Sequence, residues 1–114
     1  MPVDVIVDLD ALKERVGGDT QLLGEIVELF LNEYPPVMAR VKDAVASGDS
    51  ERLERSAHSL RGFLLNLQAE RASSAALELE IKGRRSDCVD TDKVLSKLEQ
   101  EIGLVVAVLA AKCF

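Results

Sequence analysis

The single histidine of this chain, His58, is the side chain best suited to chemistry near neutral pH. A helical projection at 100° per residue places five apolar residues on one face of its segment: Leu53, Ala57, Leu60, Leu64 and Leu67. His58 falls about 140° away from Leu53 in this projection, so we expect its imidazole to face solvent. Because neutral imidazole is a nucleophile, an exposed histidine could accept an electrophilic group.

A glycine and two arginines accompany this histidine. Gly62 falls about 180° from Leu53, one turn beyond His58, and leaves the imidazole accessible although glycine costs a helix roughly 0.5–1 kcal/mol. Arg61 and Arg55 each stand three residues from His58, and guanidinium groups pair with phosphate oxygens. These features indicate a phosphate carrier that borrows its catalysis from a partner. Ion pairs with nearby glutamates on the same helix are the alternative for both arginines.

Two apolar residues lie on the exposed part of the same helix. Leu65 falls close to His58 in the projection, and Phe63 falls further round the helix. Apolar side chains beside an exposed histidine predict a docking surface for a partner.

The elements that must position these residues are predicted to be helices, because the apolar period is 3.6 residues from residue 8 onward. A short first helix follows a cap at Asp8 and ends at Gly17-Gly18, and Asp19 caps the next helix. Pro35-Pro36 predicts a break or kink near residue 34.

Gly48 is expected to end the helix that resumes after the prolines, and Asp49 or Ser50 to cap the next one. Further helices are expected over about 51–67 and 70–82, the second ended by Gly83, and the last from about Thr91 onward. The predicted fold is all-α: an up-and-down four-helix bundle with one or two short additional helices at the N-terminus. We expect one domain over residues 1–114, with the bundle core at about 19–112.

Composition excludes several classes of function. Fourteen Lys and Arg against 20 Asp and Glu give a net charge of −6, which argues against nucleic-acid binding. The longest apolar run, residues 102–111, falls well short of the ~20 residues of a membrane span. One histidine excludes paired-histidine metal sites, and Cys88 and Cys113 suggest reduced thiols in the cytoplasm. A monomer is expected, and a dimer formed through the apolar C-terminal helix is the alternative.

The residues around His58 also resemble a known family. Residues 57–62 read Ala-His-Ser-Leu-Arg-Gly and residues 66–69 read Asn-Leu-Gln-Ala. These stretches are similar to the A-H-x-L-K-G … N-L-G-A signature of histidine-containing phosphotransfer (HPt) domains. Residues 25–31 and 77–84 are similar to the same family, and the resemblance spans roughly residues 8–112.

The resemblance implies an antiparallel four-helix bundle and a phosphoryl group carried on His58, with no independent turnover. It implies exchange of that group with aspartates of response-regulator receiver domains or of a hybrid sensor histidine kinase. Arg61 would replace the usual lysine that neutralises the phosphoryl group, and Gly62 would provide clearance. Mg²⁺ would be held by the partner receiver domain, and this chain would bind no cofactor or metal of its own.

Glu80 matches a position where some members have a glutamine that hydrogen-bonds near the histidine, although a solvated surface glutamate is the alternative. The chain departs from the family pattern at Arg61, in the bulky Phe63 and Leu65, and at Gln68, where a second glycine is usual. These departures keep open a docking module that has the HPt fold but carries no phosphoryl group. A piece of a larger kinase, similar to the phospho-acceptor domain of chemotaxis kinases, is a third alternative.

Overall fold

The computed structural model describes residues 5–111, and this part of the chain forms five α-helices. They are α1 (Leu9–Arg15), α2 (Thr20–Ser47), α3 (Ser50–Asn66), α4 (Glu70–Arg84) and α5 (Thr91–Ala110). Short connections make consecutive long helices antiparallel neighbours. The predicted all-α bundle is confirmed, with α2 to α5 as its four long helices and α1 as the short additional one.

Aspartates and glycines set the ends of the first helices as the sequence predicts. The Asp8 carboxylate accepts a hydrogen bond from the backbone N–H of Ala11 at 3.0 Å. Asp19 accepts in the same way at the start of α2, and Asp49 at the start of α3. Gly48 closes α2 with φ +68°, a left-handed conformation that glycine adopts without a steric penalty.

Helix α3 lies between α2 and α4 and makes its most extensive packing with α4. Its predicted apolar face is confirmed, because all five residues are buried: Leu53, Ala57, Leu60, Leu64 and Leu67. The same projection therefore fixes which residues of α3 remain on the surface, His58 among them.

Of the break or kink predicted near residue 34, the break is wrong, because α2 continues through Pro35 and Pro36. Each proline removes one backbone N–H donor from the helix. Buried side chains hold the helix to the core on both sides of the pair, with Phe30 before it and Val37 and Met38 after it. The two proline rings themselves are exposed. Tertiary packing thus keeps this segment helical against its local preference.

Gly83 does not end α4 as predicted, because the helix continues to Arg84 and Gly83 is buried inside it. A Cβ added at Gly83 would lie 2.6 Å from the backbone nitrogen of Glu54 and 2.8 Å from the carbonyl oxygen of Ser50. Both atoms belong to α3. The glycine is therefore a close-contact residue that lets the backbones of α3 and α4 approach each other.

Gln68 occupies the turn between α3 and α4 with φ +59°, the left-handed region in which glycine is usual. The carbonyl oxygen of Gln68 accepts a hydrogen bond from the backbone N–H of Asp8 at 3.0 Å. Arg15 also reaches the end of α3, where its Nη2 donates to the side-chain oxygen of Asn66 at 3.2 Å. These contacts fix α1 against the turn that follows α3.

Three other sequence expectations concern the membrane and the thiols. Within residues 5–111, none of the helices has the length and apolar character needed to cross a membrane. Cys88 is exposed and has a free thiol. Cys113 lies outside the described residues.

Candidate functional site

His58 lies midway along α3 with 66% of its side chain exposed. Its Nδ1 lies 3.2 Å from Oε2 of Glu80 on the neighbouring helix α4. Because an ionised carboxylate can only accept a hydrogen bond, Nδ1 must be the donor in this contact, and in a neutral imidazole the lone pair then lies on Nε2. Within residues 5–111, Nε2 makes no hydrogen bond. The contact with Glu80 therefore favours the tautomer of neutral His58 in which Nε2 is unprotonated and exposed.

Glu80 is the buried centre of the site, with only 4% of its side chain exposed. The alternative of a solvated surface glutamate is therefore wrong. Besides facing His58, the carboxylate accepts hydrogen bonds from Nε of Arg61 at 2.8 Å and from Nη2 of Arg84 at 2.9 Å. Desolvation raises the pKa of Glu80, but the hydrogen bonds from Arg61 and His58 outweigh it, so the pKa lies below its ordinary value. Glu80 is thus held ionised against the imidazole.

Arg61 joins the histidine to this carboxylate. Its Nη2 lies 3.4 Å from Nδ1 of His58, while its Nε donates to Glu80. The side chain is only 26% exposed, since it lies along the contact between α3 and α4. The structure therefore pairs Arg61 with Glu80 rather than with a glutamate of its own helix.

Gly62 leaves open space one turn beyond the histidine. A Cβ added at this position would have no heavy atom within 4 Å. Gly62 differs in this respect from Gly83, which is required by the close packing of α3 and α4. Among residues 5–111, no packing contact accounts for the glycine at position 62.

Arg55, Phe63 and Leu65 take no part in the hydrogen bonds that join His58, Glu80, Arg61 and Arg84 within residues 5–111. Arg55 faces Glu51 on its own helix, with Nη2 3.8 Å from a carboxylate oxygen. Phe63 is half-buried and lines an apolar groove of about 380 Å³ with Leu22 and other residues of α1 and α2. Leu65 is 45% exposed. Phe63 therefore faces this groove, whereas Leu65 is exposed on the surface of α3 as predicted.

Arg84 completes the charge cluster and is not among the site residues predicted from the sequence. Its Nη2 donates to Glu80, and its Nε donates to Glu54 of α3 at 3.0 Å. The spacing of four residues between Glu80 and Arg84 on α4 is the signal that could have found it. Arg84 links both sides of the α3–α4 contact through two carboxylates.

Comparisons with known proteins agree with this architecture. The family model described as the Hpt domain matches residues 25–107. Histidine-containing phosphotransfer protein B from Pseudomonas aeruginosa PAO1 has a similar structure, with a TM-score of 0.87 and 19% sequence identity over 95% of this chain and 94% of that one. Among curated proteins, no sequence matches this chain significantly. The match of the family model over most of the chain shows that this protein belongs to the Hpt domain family, whose members act as phosphocarriers in phosphorelays.

Proposed function

We propose that His58 is the phospho-acceptor of this chain and that it exchanges the phosphoryl group with aspartates of receiver domains. The observation that carries the proposal is an exposed imidazole whose Nδ1 faces a buried carboxylate at 3.2 Å. This contact leaves Nε2 as the attacking atom. Family membership supports phosphotransfer, and the geometry around His58 supports this residue as the place where it occurs.

In the forward step, the lone pair of Nε2 attacks the phosphorus of the partner's aspartyl phosphate. The Nε2–P bond forms as the P–O bond to the aspartate breaks, and the aspartate leaves as a carboxylate. Because Nδ1 keeps its proton, the phosphorylated ring carries positive charge, which the Glu80 carboxylate stabilises. The return step to a second aspartate runs the same bond changes in reverse.

Arg61 is proposed to neutralise the phosphoryl group. Its Nη2 already lies 3.4 Å from the imidazole, and its Nε is held by Glu80. A guanidinium has five N–H donors, so Arg61 can keep its bond to Glu80 and still donate to a phosphoryl oxygen. Phosphoryl transfer depends mainly on positioning and charge neutralisation, and this arrangement supplies part of both.

A partner must approach closely enough to bring phosphorus within about 3–3.5 Å of Nε2. The open space at Gly62 supports such an approach, because no side chain stands between a partner and the imidazole from this side. Gly62 is therefore proposed as the clearance residue.

The experiment is phosphotransfer from a panel of receiver domains of the same organism, each phosphorylated beforehand with a labelled small-molecule donor. The wild-type chain should gain acid-labile, alkali-stable label, as expected for phosphohistidine. The His58→Gln variant should gain none and should keep its helical circular dichroism spectrum, because an exposed side chain contributes about 0.5 kcal/mol or less to stability.

Ser59→Ala is the matched control, because Ser59 is the exposed hydroxyl directly beside His58. This variant should be labelled like the wild type. Label that survives in His58→Gln would show that another residue accepts the phosphoryl group. A chain that binds a receiver domain but gains no label would be the docking module without phosphotransfer.

The clearance role of Gly62 is tested by the size of the side chain. Gly62→Ala should transfer normally, since a methyl group fits the open space. Gly62→Arg should lose transfer while its circular dichroism spectrum stays unchanged. Normal transfer by Gly62→Arg would mean that the partner does not approach over this residue.

A further inference from the structure

A groove between α2 and α3 is lined by three arginines and two serines: Arg40, Arg52, Arg55, Ser56 and Ser59. It lies on the α2 side of α3, whereas Glu80 and Arg84 approach His58 from α4. Its volume is about 270 Å³. We call it the arginine groove. A concentration of positive charge is unexpected in a chain with a net charge of −6.

The guanidinium groups of the arginine groove keep their donors available. Within residues 5–111, Arg40, Arg52 and Arg55 form no side-chain hydrogen bond. The closest carboxylate oxygens to Arg52 and Arg55 lie at 3.7 and 3.8 Å, beyond hydrogen-bond distance. Those carboxylates, Asp43 and Glu51, are themselves 74% and 79% exposed. Such pairs hold exposed arginines weakly.

The serine hydroxyls do not compete for these donors. Ser56 Oγ donates to the carbonyl oxygen of Arg52 at 2.7 Å, and Ser59 Oγ donates to that of Arg55 at 3.2 Å. Each hydroxyl is thus satisfied within its own helix. The two serines thus form a small, polar floor to the groove, and the N–H donors available to a ligand are those of the three arginines.

A protein that closes over His58 must also cover the arginine groove. Arg55 and Arg52 precede His58 by three and six residues, which is about 4.5 and 9 Å along the helix axis. Arg40 lies on the adjacent helix, and packed helix axes are about 8–10 Å apart. A typical partner footprint of about 800 Å² has a radius of about 16 Å. The groove falls inside such a footprint.

Covering guanidinium groups without anionic partners is unfavourable, because their charge loses water without gaining a counter-charge. We infer that the arginine groove selects receiver domains that present carboxylate side chains beside their phosphorylated aspartate. The groove would thereby provide specificity, because a receiver domain with neutral or basic side chains around its phosphorylated aspartate would bind this chain more weakly. This inference rests on the proposed function and adds the chemistry of the partner.

The test compares phosphotransfer kinetics of the wild type with those of the triple variant Arg40→Gln/Arg52→Gln/Arg55→Gln. The donor is the receiver domain that labels the wild-type chain fastest. We expect the KM for the phosphorylated receiver to rise at least tenfold, with kcat at saturation unchanged. The fall of kcat/KM with added salt should also become shallower, since fewer charges are paired on docking.

The matched control is the triple variant Lys42→Gln/Lys93→Gln/Lys97→Gln. It removes the same number of positive charges from exposed residues that do not line the groove. Its KM should stay within twofold of the wild-type value. Equal losses in both triple variants would assign the effect to net charge and overturn the inference. Circular dichroism verifies folding. The single variant Arg40→Gln provides a second measurement, because Arg40 forms no ion pair with residues 5–111.

Two other results would also overturn the inference. An unchanged KM and salt dependence in the groove variant would show that docking does not use these arginines. Binding of the wild type, but not the groove variant, to phosphatidylserine vesicles, with an unchanged KM for the receiver, would assign the groove to lipid headgroups. Failure of every receiver to label the wild-type chain would refute the proposed function itself, and the inference with it.

Discussion

Alanine at Gly83 is expected to destabilise the bundle by pushing α3 and α4 apart. The new Cβ would lie 2.6 Å from the backbone nitrogen of Glu54, whereas ordinary contacts begin at 3.4 Å. The difference requires a local shift of about 0.8 Å, and backbone atoms cannot rotate away as side chains can. Overpacking of this kind costs about 3 kcal/mol, and alanine returns about 1 kcal/mol of helix propensity. The free energy of unfolding should therefore fall by about 2 kcal/mol.

Alanine at Gly62 is the matched substitution and should have the opposite effect. This glycine is also inside a helix, but its added Cβ meets no heavy atom within 4 Å. Only the helix propensity changes, so the free energy of unfolding should rise by about 0.5–1 kcal/mol.

Thermal and urea denaturation of the two variants give the comparison directly. For a domain of this size, 1 kcal/mol corresponds to about 4 °C in Tm. We expect Tm to rise by about 2–4 °C for Gly62→Ala and to fall by about 8 °C for Gly83→Ala. Equal shifts in the same direction would refute the assignment of Gly83 as the close-contact residue and of Gly62 as the open one.

Three further substitutions test single features. Glu80→Gln should lower the free energy of unfolding by about 1 kcal/mol above pH 5. Because the pKa of Glu80 is lowered in the folded state, the difference between variant and wild type should shrink as the pH falls below about 4. Urea denaturation at a series of pH values measures this difference. Gln68→Gly, at φ +59°, should raise Tm through a gain of about 0.5–1 kcal/mol, and a fall would show that the left-handed turn is not strained. Pro36→Ala, at an exposed position inside α2, should raise the free energy of unfolding by about 1 kcal/mol or more, with no change in m-value.

Much of the fold follows from the sequence because apolar spacing and capping residues are local signals. The buried face of α3, the caps at Asp8, Asp19 and Asp49, and the turn at Gly48 are all predicted in this way. The two errors concern residues whose local conformational preference, to interrupt or end a helix, is overridden by tertiary contacts. The prolines of α2 stay helical because core packing holds both flanks. Gly83 is a terminator by local rules but a contact residue in three dimensions.

The candidate site divides in the same way. The exposure of His58 and the open space at Gly62 follow from a helical projection of one segment. The burial of Glu80 and its bonds to Arg61 and Arg84 depend on how α4 is rotated against α3. A single helix cannot show that rotation, and the spacing within α4 alone suggests an exposed glutamate. The contacts of Glu80 with residues of α3 can therefore be identified only from the packed structure of both helices.

The proline pair of α2 also divides that helix into two segments with different resistance to local opening. Residues 35 and 36 have no backbone N–H, so the carbonyl groups four residues earlier, at Leu31 and Asn32, receive no helical hydrogen bond. The first half of α2 buries Leu23, Val27 and Phe30 but also borders the apolar groove, with Leu22 and Leu29 exposed, while the second half is anchored by the fully buried Val41 and Ala44. Amide hydrogen exchange should therefore be faster before the prolines than after them. Such a result would mean that the first half of α2 opens without separating α3 from α4.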